Sequence, residues 1–197
     1  MIVGVLGLQG AVREHLRALA RAGIDGRTVR HPKELDDLAG LILPGGESTA
    51  ISLLGGNGVL DALREKIQGG LPVFGTCAGM ILLATEIEGV APSRMCLGAM
   101  DITVSRNASG RQVDSFETTL SVRGVGDDVR GVFIRAPFIT RVGKGVEVLA
   151  RHEGIPVMAR QRHVLAASFH PELTDDPRIH RFFGAIAEEY DKEVGAS

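Results

Sequence analysis

The sequence is poor in the residues that mark several protein classes. It has no Trp, only 4% aromatic residues, and two cysteines among 197 residues. Two cysteines cannot form the disulfide framework of a small secreted domain. The first residues also lead straight into a strand pattern, without a basic leader or a cleavage site. We therefore expect a cytoplasmic protein.

Signals for membrane and nucleic-acid partners are missing as well. No apolar run approaches the roughly 20 residues that a membrane span requires. The formal net charge is -2, from 22 basic and 24 acidic residues, so there is no basic excess to bind a nucleic acid. We expect neither kind of partner. The length suits one domain that covers residues 1–197.

The sequence is rich in glycine and in short apolar runs. There are 26 glycines, more than a core needs, which indicates tight turns and close backbone approaches. Apolar runs at residues 1–8, 40–43 and 71–74 alternate with helical periodicity at 11–22 and 59–67. Runs buried on both faces that alternate with helices are typical of a doubly wound, mostly parallel α/β sheet.

The middle of the chain has a different pattern. Helical periodicity fades between about residues 99 and 168, and a turn is expected at Glu153-Gly154. We expect additional antiparallel strands that extend or flank the main sheet, and a last helix over about 178–193 that covers it. The β-rich runs are 101–105, 116–122, 129–134, 146–150, 155–159 and 164–169.

Residues 75–79, Gly-Thr-Cys-Ala-Gly, carry the first candidate for chemistry, and we call them the elbow. They follow the apolar run 71–74 and lead into the helix-forming segment 80–84. A nucleophile between a strand and a helix needs flanking glycines, because a Cβ would clash there. The helix N-terminus favours a thiolate at Cys77 and offers N–H groups to an oxyanion. A buried structural cysteine is the alternative that this pattern leaves open.

Residues 44–49, Pro-Gly-Gly-Glu-Ser-Thr, form a second candidate, which we call the glycine loop. They follow the strand at 40–43, at the carboxyl edge where open α/β sheets bind ligands. Their spacing matches neither a P-loop nor the Gly-x-Gly-x-x-Gly dinucleotide fingerprint. The position favours a ligand loop of another kind over a plain βα turn.

His170 and Glu172 supply what a cysteine nucleophile needs, a base and a group that orients the base. They follow the apolar run 165–169, and reach the edge that holds Cys77 if the two strands are parallel neighbours. In an extended segment their side chains share a face. We therefore predict a triad of Cys77, His170 and Glu172.

The remaining histidines and the second cysteine have no such setting. They lack zinc-ligand spacing, and we expect neither a metal site nor a cofactor. Cys96 is expected to be a core or partly exposed thiol. The histidines for which we expect a solvated or merely structural role are His15, His31, His152, His163 and His180.

Together these motifs resemble the class I glutamine amidotransferases, whose fold is flavodoxin-like. The resemblance rests on the glycine loop, the elbow and residues 169–173, Phe-His-Pro-Glu-Leu. Three longer runs, at 4–15, 110–117 and 131–137, are similar to the glutaminase subunits of pyridoxal 5′-phosphate synthases in particular. The likeness covers nearly the whole chain.

The resemblance implies hydrolysis of L-glutamine to glutamate and ammonia. Cys77 would attack the amide carbonyl, His170 would carry the proton to the leaving ammonia, and Glu172 would orient His170. Backbone N–H groups of Gly46 and Ala78 would hold the oxyanion. The implied glutamine site contains Gly46, Glu47, Ser48, Arg106, Ile134 and Arg135.

The resemblance also implies a partner and leaves three alternatives open. The partner is a separate barrel-shaped synthase subunit, which would use the ammonia to make pyridoxal 5′-phosphate. The same triad could instead serve another amidotransferase, such as imidazole glycerol phosphate synthase, although runs 110–117 and 131–137 favour the first family. The same fold also carries cysteine peptidases and stress-response hydrolases. The third alternative is a non-catalytic binding module with a buried Cys77.

Overall fold

The structure is a computed structural model of the chain, and it describes residues 1–8, 10–46, 58–90, 96–106 and 115–195. The strands are β1 (Ile2–Leu6), β2 (Asp25–Val29), β3 (Gly40–Leu43), β4 (Val73–Thr76), β5 (Ala84–Ile87), β6 (Met100–Ser105), β7 (Phe116–Val122), β8 (Gly126–Phe133), β9 (Phe138–Val142), β10 (Glu147–His152), β11 (Ile155–Gln161) and β12 (Val164–Ala167). The α-helices within these ranges are α1 (Val12–Ala22), α2 (Val59–Gln68), α3 (Ala78–Leu83) and α4 (Arg178–Gly195), and 3-10 turns lie at Pro32–Leu35 and Pro171–Leu173.

Seven strands form the central sheet, in the order β10-β11-β12-β4-β3-β1-β2. The five strands from β12 to β2 are parallel, and β11 and β10 continue the sheet in antiparallel pairing. The doubly wound, mostly parallel sheet is therefore confirmed. So is the parallel pairing of β12 with β4, which brings the chain after each strand to one edge of the sheet.

Helices cover both faces of this sheet. Phe74 of β4 packs on one face, in a cluster with Leu19 of α1 and Phe183 of α4. Val73, the preceding residue, points to the other face and packs in a cluster with Leu63 of α2. Burial on both faces is why these strands are apolar throughout rather than at alternate positions. Within the described ranges, no helix is both long and apolar enough to cross a membrane.

The middle of the chain forms the expected antiparallel strands. The hairpin of β10 and β11 turns at Glu153 and Gly154, whose φ angles of 49° and 83° are those of a primed two-residue turn. Strands β7 and β8 form a second hairpin, and β6 pairs with β5 and β9 in a three-stranded sheet. The sequence patterns did not predict β5 or β9. Both are short strands that pair with β6.

Candidate active site

Cys77 lies in a strained turn between β4 and α3. Its φ is 50° and its ψ is −108°, a conformation that costs energy for any residue with a Cβ. The turn is held from the next strand, because the Cys77 N–H donates a 2.8 Å hydrogen bond to the Ala167 carbonyl. A strained turn between a strand and a helix is the conformation expected of an elbow that carries a nucleophile.

The two glycines of the elbow are required by close packing. A Cβ on Gly75 would lie 2.5 Å from the carbonyl carbon and oxygen of Gly79. A Cβ on Gly79 would lie 2.0 Å from the carbonyl oxygen of Leu43, on strand β3. Neither glycine can therefore be replaced without moving α3 away from the sheet.

His170 and Glu172 reach the same edge from β12. The two side chains are buried, and 2.7 Å separates His170 Nδ1 from Glu172 Oε1. The backbone between them is a 3-10 turn at Pro171–Leu173, so the expected extended segment is wrong although the two side chains do meet. The His170 N–H donates a 2.8 Å hydrogen bond to the Val132 carbonyl of β8, which fixes the turn from a second element.

The contacts of His170 favour its charged form. Burial lowers the pKa of His170, but hydrogen bonds with the Cys77 sulfur and Glu172 outweigh it and raise this pKa to about 10. For Glu172, burial raises the pKa, whereas the interaction with His15 and the hydrogen bond with His170 lower it below its ordinary value. At neutral pH, the imidazolium of His170 therefore lies between the Cys77 sulfur and the Glu172 carboxylate.

Gly45, near the start of the glycine loop, lies directly against Cys77 and His170. A Cβ on Gly45 would lie 2.7 Å from His170 Cε1 and 2.9 Å from Cys77 Cβ. The Gly45 N–H donates a 3.2 Å hydrogen bond to the Thr76 hydroxyl, which anchors the start of the loop. Gly46 comes next and is exposed. Residues 47 and 48, the predicted Glu47 and Ser48 of the glutamine site, lie outside the described residues.

Ala78 is the first residue of α3 and directly follows Cys77 in the chain. The N–H groups of Met80 and Ile81 bond to the Cys77 carbonyl, at 3.0 and 3.4 Å. The N–H groups that precede them in a helix have no acceptor within the helix. Helix α3 thus has no acceptor of its own for the Ala78 N–H, as an oxyanion donor requires.

Ile134 and Arg135 directly follow β8, the strand that contacts the backbone of His170. Val132, which accepts the hydrogen bond from His170, is two residues before Ile134. Both Ile134 and Arg135 are exposed, and Arg135 has a φ of 45°. A strained, exposed arginine at the end of a strand is typical of a functional position.

Arg106 lies just beyond the end of β6. Its Nε and Nη2 atoms are buried without a hydrogen-bond partner among the described residues, and its charge opposes the rise that burial causes in the pKa of Cys96. Within the described residues, no hydrogen bond or ion pair joins Arg106 to the triad. Burial is the larger influence on Cys96 and raises its pKa, while its Sγ contacts the Ile81 carbonyl at 3.9 Å. Cys96 is thus the partly exposed thiol that the sequence predicts.

The sequence matches the SNO glutamine amidotransferase family over residues 5–189. The chain belongs to this family. A relative from Carboxydothermus hydrogenoformans is 56% identical over 93% of this chain and 96% of its own length, and one from Bacillus cytotoxicus is 52% identical over 95% of each. Both relatives are named pyridoxal 5′-phosphate synthase subunit PdxT. A crystal structure of a glutamine amidotransferase, 53% identical, covers 95% of this chain with a TM-score of 0.90.

In this family member, two further histidines lie behind the triad. His15 of α1 and His180 of α4 are both 0% exposed, so neither is solvated. His15 Nε2 is 3.5 Å from Glu172 Oε2. A signal for the burial of His15 was available, since it lies between Val12 and Leu19 on the apolar stripe of the helix. The contact of His15 with Glu172 could not be predicted from the neighbouring residues, because it forms only when distant segments pack together.

The arrangement of this glutamine amidotransferase suits acyl transfer. It combines a thiol, an imidazolium, an orienting carboxylate and backbone N–H groups at one water-accessible edge. Among the described residues, no cluster of His, Cys, Asp and Glu is arranged to hold a metal ion.

Proposed function

We propose that this chain hydrolyses the side-chain amide of L-glutamine and supplies the ammonia to a pyridoxal 5′-phosphate synthase. The observation that carries the proposal is the Cys77 elbow under the glycine loop, with His170 raised to a pKa of about 10 beside it. Membership of a glutamine amidotransferase family supports glutamine as the substrate. Relatives that bear the PdxT name support the synthase.

The reaction follows from the order of the groups. His170 holds the proton that has left the Cys77 sulfur, and the thiolate forms a bond to the amide carbon while the carbonyl electrons move to the oxygen. N–H groups of Gly46 and Ala78 hold that oxyanion. When the carbon–nitrogen bond breaks, His170 gives its proton to the leaving ammonia and a thioester remains. Water then attacks the thioester while His170 accepts its proton, and glutamate leaves as the carbon–sulfur bond breaks.

The proposed glutamine site takes its residues from loops that follow several strands. Gly46, Glu47 and Ser48 continue the glycine loop beyond Gly45, and Ile134 and Arg135 come from the end of β8. The cation of Arg135, or the unpartnered donors of Arg106, would suit the α-carboxylate of glutamine.

A synthase subunit is the proposed destination of the ammonia. Exposed apolar side chains near the triad support a docking surface, since Leu173 is 44% exposed directly after Glu172 and Ile134 is 36% exposed. We propose that residues 1–197 form one glutamine amidotransferase domain, because the smaller sheets share core clusters with the central sheet. The cytoplasm stays our prediction for its location, from the cysteine content of the sequence.

Ammonia release from glutamine tests the proposal. The native chain should release ammonia slowly alone and faster with the barrel-shaped synthase subunit, and Cys77→Ala should abolish both rates. Cys96→Ala is the matched control, which should keep activity because Cys96 lies away from the triad. Equal rates with and without the synthase would contradict the partner, and release by Cys77→Ala would contradict the nucleophile.

A further inference from the structure

The two oxygens of Glu172 face two different histidines. Oε1 lies 2.7 Å from His170 Nδ1, and Oε2 lies 3.5 Å from His15 Nε2. Within the described residues, Oε2 is buried without a hydrogen-bond partner. A buried carboxylate oxygen without a donor is costly, and hydrogen bonds in unliganded sites are often long. His15 is placed to provide that donor.

The same nitrogen of His15 also reaches the support of the glycine loop. His15 Nε2 lies 3.2 Å from Thr76 Oγ1. That hydroxyl oxygen accepts the 3.2 Å hydrogen bond from the Gly45 N–H. One imidazole therefore contacts both the carboxylate that orients His170 and the hydroxyl that anchors the loop over Cys77.

His180 extends this set of contacts and determines the tautomers. Its Nε2 lies 3.1 Å from His15 Nδ1, and its Nδ1 is buried without a hydrogen-bond partner among the residues that the structure describes. Both rings are neutral at neutral pH, because burial lowers the pKa of each, that of His180 to about 3. A neutral imidazole has one N–H and one acceptor nitrogen, so only two arrangements of the pair place a hydrogen bond between His15 Nδ1 and His180 Nε2.

The first arrangement satisfies the buried atoms better than the second. If both rings carry the proton on Nε2, His180 donates to His15, and His15 donates towards Glu172 and Thr76. The unpartnered Nδ1 of His180 is then a bare acceptor. If both carry it on Nδ1, a lone pair of His15 faces the carboxylate and the unpartnered Nδ1 of His180 becomes a buried donor, which is the costlier loss.

We propose that His15 is a positioning residue of the glutaminase site, held in the Nε2–H tautomer by His180. Its N–H fixes the Glu172 carboxylate and the Thr76 hydroxyl together, so that His170 and the glycine loop keep their places around Cys77. The inference rests on the proposed glutaminase function for its kinetic consequences. Its geometric consequences, the tautomer and the reactivity of Cys77, do not depend on the substrate.

The test compares His15→Gln with His15→Met, two unbranched side chains of similar length. Gln places an amide N–H near the position of Nε2, whereas Met has no donor. We expect His15→Met to lower kcat for ammonia release about 100-fold with little change in KM, since misplacing a catalytic group by about 1 Å costs that much. The kcat of His15→Gln should be at least about tenfold higher than that of His15→Met. Equal kcat values for the two variants, or two unchanged ones, would overturn the proposal.

Alkylation of Cys77 by iodoacetamide provides the readout without glutamine. We expect about tenfold slower alkylation in His15→Met than in the native chain at neutral pH, because a misplaced His170 no longer supports the thiolate. Cys96 is the internal control and should be alkylated equally in both. If the native chain releases no ammonia, the proposed function fails, but alkylation still decides on His15: equal rates at Cys77 would overturn its role.

A matched histidine and a tautomer measurement complete the design. His163, half-buried with Nε2 3.1 Å from the Ile67 carbonyl, precedes β12 at the opposite edge of the sheet, and His163→Met should leave kcat unchanged. An equal loss in His163→Met would assign the effect to general destabilisation. If the His15 variants do not fold, nitrogen NMR of the native chain still decides: protonated Nε2 in His15 supports the proposal, and protonated Nδ1 overturns it.

Discussion

Two sets of buried histidines lie on either side of the Glu172 carboxylate, and their pKa values move in opposite directions. On the outer side, burial of His170 is outweighed by hydrogen bonds with Cys77 and Glu172, and its pKa rises to about 10. On the inner side, burial dominates for His15 and His180, and the pKa of His180 falls to about 3. The Glu172 carboxylate thus has a charged histidine on its outer side and two neutral histidines on its inner side.

The difference teaches what decides the charge of a histidine near a carboxylate. His170 keeps 8% of its surface exposed and has two acidic partners. His15 and His180 are fully buried, and burial lowers the pKa of both, while the positive charge of His170 lowers the pKa of His15 further. For His170, two acidic partners therefore outweigh the effect of burial on the pKa. For His15, the single 3.5 Å contact with Glu172 does not. Four changes would break or sharpen this contrast.

Removing the nucleophile should have the largest effect. Cys77→Ala is expected to lower kcat by about 10⁶-fold, the order seen when a covalent nucleophile is deleted. It also removes one of the two acidic partners of His170, so the pKa of His170 should fall. Steady-state ammonia release and a titration of His170 measure the two effects. An unchanged pKa of His170 would mean that Cys77 is not its partner.

Removing the charge of Glu172 is expected to have the next largest effect. Glu172→Gln should lower kcat by about 10⁴-fold, as when the orienting acid of a triad becomes an amide. The carboxylate raises the pKa of His170, so the alkaline fall of kcat/KM should move from near pH 10 to lower pH. A profile of kcat/KM against pH for both proteins measures the shift, and an unmoved alkaline limb would contradict the assignment.

Crowding the outer side alone is expected to have an intermediate effect. In Gly45→Ala the new Cβ would lie 2.7 Å from His170 Cε1, which should lower kcat about 100-fold through displacement of the triad. The inner histidines should keep their tautomers. Gly69→Ala is the control, because its nearest contacts are an ordinary 3.4 Å and its φ is −74°. Comparable losses in the two variants would show that the crowding at Gly45 is unimportant.

Replacing a histidine of the inner side is expected to have the smallest effect. It should change how the free energy of unfolding depends on acidic pH. The pKa of His180 is about 3 in the folded chain and near 6.5 unfolded. Its contribution to the free energy of unfolding is therefore complete above pH 6.5 and is lost as the pH falls, by up to about 1.4 kcal/mol per pH unit. The contribution of His170 has the opposite sign, present below pH 6.5 and lost as the pH rises towards 10.

Urea unfolding between pH 7 and pH 5 measures the acid effect. His180→Leu should have a flatter dependence on pH than the native chain, whatever its absolute stability. The His163→Met variant removes a half-buried histidine outside the pair and should flatten the dependence less. Parallel curves for the native chain and His180→Leu would show that His180 is not a buried neutral histidine.

The sequence predicted the features that depend on short spacings. Strands that are buried on both faces have continuous apolar runs, so the order of strands and helices could be predicted. The elbow glycines are required by contacts with α3 and β3 that recur wherever a strand turns sharply into a helix. The position of His170 followed from β12 being parallel to β4, which brings the ends of both strands to one edge.

What the sequence could not predict depends on contacts between distant segments. Strands β5 and β9 are stabilised by pairing with β6 rather than by their own patterns. The 3-10 turn after His170 is held by Val132 of β8, so an extended segment was the wrong expectation. His15 and His180 are 165 positions apart and meet only after α1 and α4 pack together. The role of Glu47 and Ser48 stays a prediction.

A titration of His170 by NMR, from pH 6 to pH 11 in the native chain, tests the central claim most directly. The claim is that Cys77 and Glu172 hold a proton on His170 while His15 and His180 stay neutral behind it. The account predicts a midpoint near pH 10 for His170 and no titration of the inner pair in this range. A midpoint near 6.5, the ordinary value for histidine, would contradict it.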